Sequence, residues 1–347
     1  MSQKYSFAGL IILSAIIAFA LTFNDQPHST SLAEKITHQG RAMGTTYSVV
    51  YFNASEHEAD VINQVIDQAI VLVNDQMSTY KSDSNLSVFN QKPAGSCYQF
   101  PKETYHVLSM AQEIANITGG AFDVTVGPLV NLWGFGPDYN DEQKPTQAQI
   151  EKLKSDRVGY QFLKLEGDNR VCKDKDIYVD LSAIAKGYAV DLVAERLDEL
   201  SISSYLIEIG GELKAKGLKL NGEQWRVAVE EPDATEARSV HKIVALNDLG
   251  IATSGDYRNY YEVEGKRYSH TINPATGNPI EHNLASISVL HDSVAYADAM
   301  ATALNVVGPE KAYEIAEKNH LAVYMLVKEG QSFKALSTQK FTKAFIE

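Results

Sequence analysis

Along the chain, apolar positions recur at two spacings, and each change of spacing marks a change of element. Alternation over "TTYSVVYF" predicts a strand at Thr45–Phe52, and Val61, Val65, Ile66, Ala69 and Val73 fall near helical spacing within Glu56–Met77. A second helix is predicted from Lys102 to Asn116, closed by Gly119 and Gly120, which suit a left-handed C-cap. A third begins at Thr146, whose Thr-x-x-Gln pattern to Gln149 resembles a capping box. Short strands follow between Phe162 and Asp180. "IYVDLSAIAKGYAVDLVAERLDEL" then reads as a strand entering a helix, with Ser182 as its N-cap and Ile184, Tyr188, Leu192 and Val193 as apolar positions. "SYLIEIGGELKAKG" reads as strand, Gly-Gly turn, strand. "QWRVAVEEP", "HKIVAL" and "YYEVEGKRYSHTINP" are further strands, the last a hairpin through Glu264-Gly265. Adjacent hairpins imply antiparallel pairing. The fold class is therefore α+β, with helices packed on antiparallel or mixed sheets, and no linker interrupts the chain after Gly40.

One helix breaks the usual pattern. "SVAYADAMATALNVVGP", Ser293 to Pro309, is small or apolar on nearly every side, which predicts burial, yet it carries Asp298 and Thr302. A buried lone carboxylate must shift its pKa, pair with a cation or bind a metal. Asp298 and Thr302 are one helical turn apart and share a face, half of a site for a hard metal.

Composition narrows the setting. The 347 residues are 44% hydrophobic and 22% charged, enough for one large composite domain over residues 41–347. The formal net charge of -13 argues against a nucleic-acid binder, so any anion must be held locally. At the N-terminus, one Lys precedes an uncharged run from Tyr5 to Asn24 with Ala18-Phe19-Ala20 near its end, which predicts a signal peptide or membrane anchor over residues 1–24. Residues 25–40 read as a polar tether, and the body is expected outside the cytoplasm. Cys97 and Cys172 are the only cysteines and form no zinc or thiol-redox motif; pairing and two separate thiols both remain open.

Lys186 stands at the start of its helix, where a cation adds unfavourably to the local positive charge unless an anion is present, which points to phosphate. Gly187 inside that helix fits close approach by a ligand; in the structural alternative Lys186 reaches solvent and Gly187 packs on a strand. "ITGGAFDVTVGPLVNLWGFGP" mixes glycines, Phe122, Trp133 and Phe135 with Asp123, suiting a planar ligand or a buried aromatic turn, and it matches no standard nucleotide motif. His270, at the end of a hairpin strand, is a candidate proton acceptor. Carboxylate, hydroxyl and backbone carbonyl donors favour magnesium, which opposite Lys186 would form a two-sided clamp on a diphosphate.

"MGTTYSV", "MSTYKSDSNLSVFN", "GGAFDVTVGPL", "VDLSAIAKGYAVD", "IEIGGE", "SGDYRNYY", "SHTINPATG" and "ADAMATAL", in this order, resemble the ApbE family of FAD:protein FMN transferases over roughly Ala42 to Gly308. The resemblance implies a magnesium-dependent enzyme that transfers the FMN half of FAD to a Thr or Ser hydroxyl of a target flavoprotein through a phosphodiester bond, releasing AMP. It implies FAD contacts at Met43, Tyr80, Ala121, Phe122, Asp123, Lys186 and Ile272, and magnesium held by Asp298, Thr302 and the carbonyl of Ala183. His270 matches the histidine assigned to activating the acceptor hydroxyl. Implied acceptors include subunits of sodium-translocating NADH:quinone reductase and Rnf-type electron-transfer complexes, on the periplasmic side of the inner membrane.

The sequence departs from exported lipoprotein relatives in having no cysteine before Cys97, so lipid attachment at a cleavage site is not available. It also lacks a Ser/Thr-Gly-Ala-Ser/Thr stretch, which favours transfer to another protein over self-modification. The competing readings are a magnesium-dependent FAD pyrophosphatase that uses water, and a flavin carrier without catalysis.

Overall fold

The alternation that predicts strands also decides which side of the main sheet each residue faces. The computed structural model describes residues 33–53, 57–136, 144–232, 240–255, 260–263 and 266–345. The expected signal or anchor and the first half of the tether lie outside the described residues. The tether is shorter than expected: β1 (Glu34–Ala42) is already a strand, paired with β2 (Thr45–Asn53) in antiparallel register from Glu34 opposite Asn53 to Ala42 opposite Thr45. Its polar residues gave no apolar alternation to read, because one backbone edge of β1 is held by β2 while most of its side chains face solvent or are half-buried.

Helices α1 (Ala59–Met77) and α2 (Asn85–Asn90) follow, then β3 (Cys97–Gln99), α3 (Lys102–Ile117), α4 (Gly127–Leu132) and α5 (Gln147–Arg157). The Thr146 capping box on α5 is present as expected. Strands β4 (Leu163–Leu165) and β5 (Arg170–Lys173) complete a small sheet with β3, in the order β3-β5-β4. Cys97 lies directly opposite Cys172 in that sheet, and the two are joined by a disulfide. Residues 177–180, expected as a strand, join no sheet. Their backbone is held instead by the Asn90 side chain, which donates to Val179 O and accepts from Val179 N, both at 2.8 Å.

Helix α6 (Ala185–Glu199) starts later than expected, with Ile184 and not Ser182 at its N-cap; the Ser182 hydroxyl donates to Asp180 Oδ1 at 2.6 Å, closing a local turn. The Gly-Gly hairpin of β6 (Tyr205–Ile209) and β7 (Glu212–Lys216) is as expected, as is the ribbon of β8 (Trp225–Glu230) and β9 (Val240–Leu246). Next come β10 (Leu249–Gly255), the hairpin β11 (Tyr260–Val263) and β12 (Lys266–Ser269), and the short pair β13 (Ile272–Asn273) and β14 (Asn278–Pro279). The turn residues Glu264 and Gly265 lie outside the described residues, but Val263 opposite Lys266 fixes the register expected for that hairpin. The chain ends with β15 (Leu284–His291), α7 (Val294–Val307), α8 (Pro309–Lys318), β16 (Ala322–Glu329), β17 (Ser332–Ser337) and α9 (Gln339–Thr342).

The main sheet has eight strands in the order β1-β2-β6-β7-β10-β15-β16-β17, antiparallel at every pairing. Tyr47, Val49 and Tyr51 of β2 face the core shared with α1, α3, α6 and α7, while Val50 and Phe52 face a second core with β8, β9 and α9. On β16, Val323, Met325 and Val327 take the first side and Ala322, Tyr324 and Leu326 the other. A one-residue slip would exchange the two sets, so both cores fix the register together. A third cluster, Leu129, Trp133, Ile150, Val158, Tyr268 and Ile272, ties α4 and α5 to β12 and β13.

Candidate functional site

The site grows from the contact between α6 and α7. Gly187 stands one turn into α6, and a Cβ there would come within 2.5 Å of Val294 O and 2.8 Å of Ala295 Cα. Glycine is therefore required by a neighbouring helix, where the sequence suggested a ligand or a strand. The close approach lets the Gly187 N–H donate to Asp298 Oδ2 at 3.1 Å. Lys186 Nζ lies 3.8 Å from the same oxygen and 3.3 Å from Glu212 Oε1. One ammonium thus bridges two carboxylates that are both almost fully buried.

Burial sets the electrostatics of this cluster. It pushes Glu212 up to about 8, against the opposing Lys186 charge and with help from Asp298. It raises Asp298 as well, against Lys186 and the Gly187 N–H. Burial works against the Lys186 ammonium, but Asp298 and Glu212 outweigh it and hold the lysine above its usual value. Glu212 was not singled out in the sequence, although it closes the "IEIGGE" segment. Its partner comes from another element, so no spacing in the chain reveals the pair.

Residues expected to hold magnesium fit that role by their chemistry. A regular helix would spend the Gly187 N–H on the Ala183 carbonyl; because Asp298 takes that donor, Ala183 O accepts no hydrogen bond among the described residues. Thr302, half-buried on α7, is not bonded back to the Asp298 carbonyl, and its hydroxyl has no partner among the described residues. Asp298 Oδ1 is likewise left without a donor there, while Oδ2 is engaged. Carboxylate, hydroxyl and carbonyl oxygens suit a hard divalent cation. No group of three or more His, Cys, Asp or Glu side chains suited to a metal occurs among the described residues.

The expected flavin contacts approach from several elements. Met43 and Gly44 form the two-residue turn between β1 and β2, with φ of 53° and 75°. Positive φ at a methionine is uncommon and marks a turn held by its surroundings. The next residue, Thr45, reaches the β6–β7 turn: a Cβ on Gly210 would fall 2.9 Å from Thr45 Cγ2 and 3.1 Å from Lys186 Cδ. The first hairpin and the lysine therefore meet at Gly210. Ala121 is half-buried and Phe122 buried. Asp123 is buried as well; its carboxylate accepts from Thr125 N at 2.8 Å, Thr125 Oγ1 at 2.6 Å and Tyr160 N at 3.0 Å. Burial raises this carboxyl, and those three bonds oppose the rise. The loop is tied to the approach to α6 by Asp180 N donating to Val124 O at 2.7 Å.

His270 and Ile272 come from the β12–β13 stretch of the chain. Ile272 is buried on β13, which packs against α7. His270 is half-buried just past β12, edge-on to Phe135 with ring centroids 6.3 Å apart. Trp133 belongs to the buried aromatic turn, stacked on Tyr268 and donating from Nε1 to Gly277 O at 2.8 Å. Tyr80 stands apart: its side chain is 73% exposed beyond α1, and no hydrogen bond or ion pair joins it to the Lys186 group among the described residues.

The family model described as "ApbE family" matches residues 43–325. A Haemophilus influenzae protein named FAD:protein FMN transferase is 41% identical over 343 residues, covering 96% of this chain and 97% of the relative. One of the same name from Vibrio cholerae is 43% identical over 311 residues, covering 89% and 92%. The apo crystal structure of the Pseudomonas stutzeri flavinyl transferase ApbE superposes with a TM-score of 0.83 at 42% identity, covering 90% of this chain and 97% of that one. With a family match across most of the folded body and relatives above 40% identity, this chain belongs to the ApbE family.

Proposed function

We propose that the chain is a magnesium-dependent FAD:protein FMN transferase that moves the FMN half of FAD onto a Thr or Ser hydroxyl of an acceptor flavoprotein and releases AMP. One observation carries this reading. Lys186 and Asp298 meet across α6 and α7, where three oxygens, Ala183 O, Thr302 Oγ1 and Asp298 Oδ1, have no donor among the described residues. A cation and a hard-metal donor set side by side are what a diphosphate needs on its two flanks.

Ala183, Asp298 and Thr302 would hold the magnesium, which supplies charge neutralisation at the diphosphate when bound. Lys186 neutralises the same diphosphate from the α6 side and stabilises the leaving AMP. Met43, Tyr80, Ala121, Phe122, Asp123 and Ile272 are assigned to binding and orienting FAD. His270 takes the proton from the acceptor hydroxyl as its oxygen bonds to the FMN phosphorus and the bond to the AMP oxygen breaks. With a formal net charge of -13 the chain must hold an anionic substrate by local positive charge, which Lys186 supplies.

Acceptors of the reaction are flavoproteins, with subunits of sodium-translocating NADH:quinone reductase or Rnf-type complexes as the first to test. The enzyme works on the periplasmic side of the inner membrane. The apolar run from Tyr5 to Asn24 supports this, and so does the Cys97–Cys172 disulfide, since such bonds persist in oxidising compartments. Incubation with FAD, magnesium and an acceptor, followed by intact-mass analysis, tests the reaction. An acceptor gaining one FMN supports transfer; free FMN and AMP with an unmodified acceptor would replace it with FAD hydrolysis.

A further inference from the structure

We propose that Glu212 is a positioning residue for Lys186. It seats the ammonium on the β7 side of the α6–α7 junction, so that the lysine faces a diphosphate without closing on Asp298. This rests on the assignment of Asp298 as a divalent-cation ligand.

A lysine with Asp298 as its one anionic partner would settle on that carboxylate and compete with a cation for it. Here Nζ is drawn the other way, 3.3 Å from Glu212 Oε1 against 3.8 Å from Asp298 Oδ2. The seat is rigid. Glu212 is 4% exposed and pairs with Ile209 across the Gly210–Gly211 turn, while Gly210 walls the stem of Lys186, a Cβ there meeting Lys186 Cδ at 3.1 Å. The seat is also unfinished, because Glu212 Oε2 is buried with no hydrogen-bond partner among the described residues. Most buried carboxylate oxygens in native proteins are hydrogen-bonded, so an open one invites a functional explanation. The open acceptor gives the ammonium a place to move when a cation claims Asp298.

The test is a double-mutant cycle on the full chain at pH ~8.5, above the value of about 8 to which burial raises Glu212, so that its carboxyl is ionised. Mn2+ alone is the probe and free Mn2+ is read by electron paramagnetic resonance, which needs no turnover. Glu212→Gln should weaken Mn2+ binding about tenfold, within the coupling range of contacting residues, because the ammonium falls back on Asp298. In a Lys186→Met background the same substitution should have no further effect. Glu212→Asp, one methylene short but still charged, should be intermediate, and it serves as the readout if the glutamine variant fails to fold. Equal weakening by Glu212→Gln with and without Lys186 would reduce Glu212 to a remote charge and overturn the proposal, as would unchanged Mn2+ binding in both Glu212 variants. No Mn2+ binding by the unsubstituted protein would remove the cation site itself, and the proposal with it.

Discussion

The backbone N–H of Gly187 donates to Asp298 Oδ2 at 3.1 Å across the junction of α6 and α7. This single bond does three things. It gives a buried carboxylate a donor, brings Lys186 beside it, and takes from Ala183 O the donor a regular helix would have supplied. The irregular N-terminus of α6, with Ile184 at φ -147° and no side-chain cap, is the local cost of keeping that carbonyl open.

Gly187→Ala should therefore do more than lower helix flexibility. Alanine normally favours an exposed helix interior by ~1 kcal/mol over glycine. Here its Cβ would lie 2.5 Å from a backbone oxygen of α7, which cannot rotate away. The helices must separate, and the expected result is a lower Tm together with loss of FMN transfer. A variant with raised Tm and full activity would show that α6 and α7 do not need this contact.

The Cys97–Cys172 bond closes a loop that carries α3, α4 and the Ala121–Asp123 segment. Replacing both cysteines by serine should cost about 2–4 kcal/mol of stability, chiefly by freeing the unfolded chain. Denaturant unfolding of the oxidised protein against the double variant measures it. An equal midpoint in both would mean that the bond adds nothing to the stability of the fold.

Much of this arrangement was legible in the sequence wherever one element carried the whole signal. The small-residue pattern of α7 gave both its burial and the shared face of Asp298 and Thr302, and the alternation of β2 gave a strand with one side inward. What stayed hidden depended on contacts between elements. Glu212 acquires its meaning from Lys186, which arrives from another part of the chain, and Gly187 from α7. Ser182 does not cap because the Ile184 and Ala185 N–H groups it would accept from already donate to Leu181 O. The cysteines left two outcomes open, since only β3–β5 pairing places them opposite one another.

His270→Ala should fold and bind FAD but transfer FMN slowly. A general base acts on the nucleophile and not on ground-state affinity, so its loss is expected to lower the rate ~10²–10⁴-fold. Flavin binding measured beside the rate of acceptor flavinylation separates the two effects. Unchanged transfer at neutral pH would remove His270 from the mechanism.

Stability should depend on pH through Glu212. The folded chain keeps the Glu212 proton up to about 8, against 4.5 for an unperturbed glutamate, so it binds more protons than the unfolded chain between these values. The stabilising contribution is full below the lower value and is lost as pH rises through the upper one. Asp298, raised by the same burial, adds to the decline; the contribution of Lys186 persists until the pH exceeds the ordinary lysine value of 10.5. In chelator, the Tm of the unsubstituted protein should fall from pH ~5 to ~9 relative to Glu212→Gln. Parallel curves would mean that Glu212 titrates normally.

The metal-site reading of α7 is decided by two substitutions read together. Asp298→Asn keeps the shape of the side chain and still accepts from Gly187, but it removes the charge that would hold a cation. If Asp298 is a magnesium ligand, turnover should drop, and part of it should return at higher magnesium. If Asp298 serves only to pair with Lys186, the change leaves the lysine with Glu212 alone, and the damage should appear in stability, at most ~3–5 kcal/mol for a fully buried pair and less here because Lys186 is partly exposed. Thr302→Val separates the cases again. The Thr302 hydroxyl has no partner among the described residues, so valine loses no hydrogen bond within the fold and should leave Tm nearly unchanged. A raised magnesium requirement in the valine variant, with its Tm intact, then assigns the hydroxyl to the cation. Melting temperatures and magnesium-dependent turnover on both variants give the answer: an unchanged magnesium requirement in both would remove the metal from this helix, whatever the loss of stability.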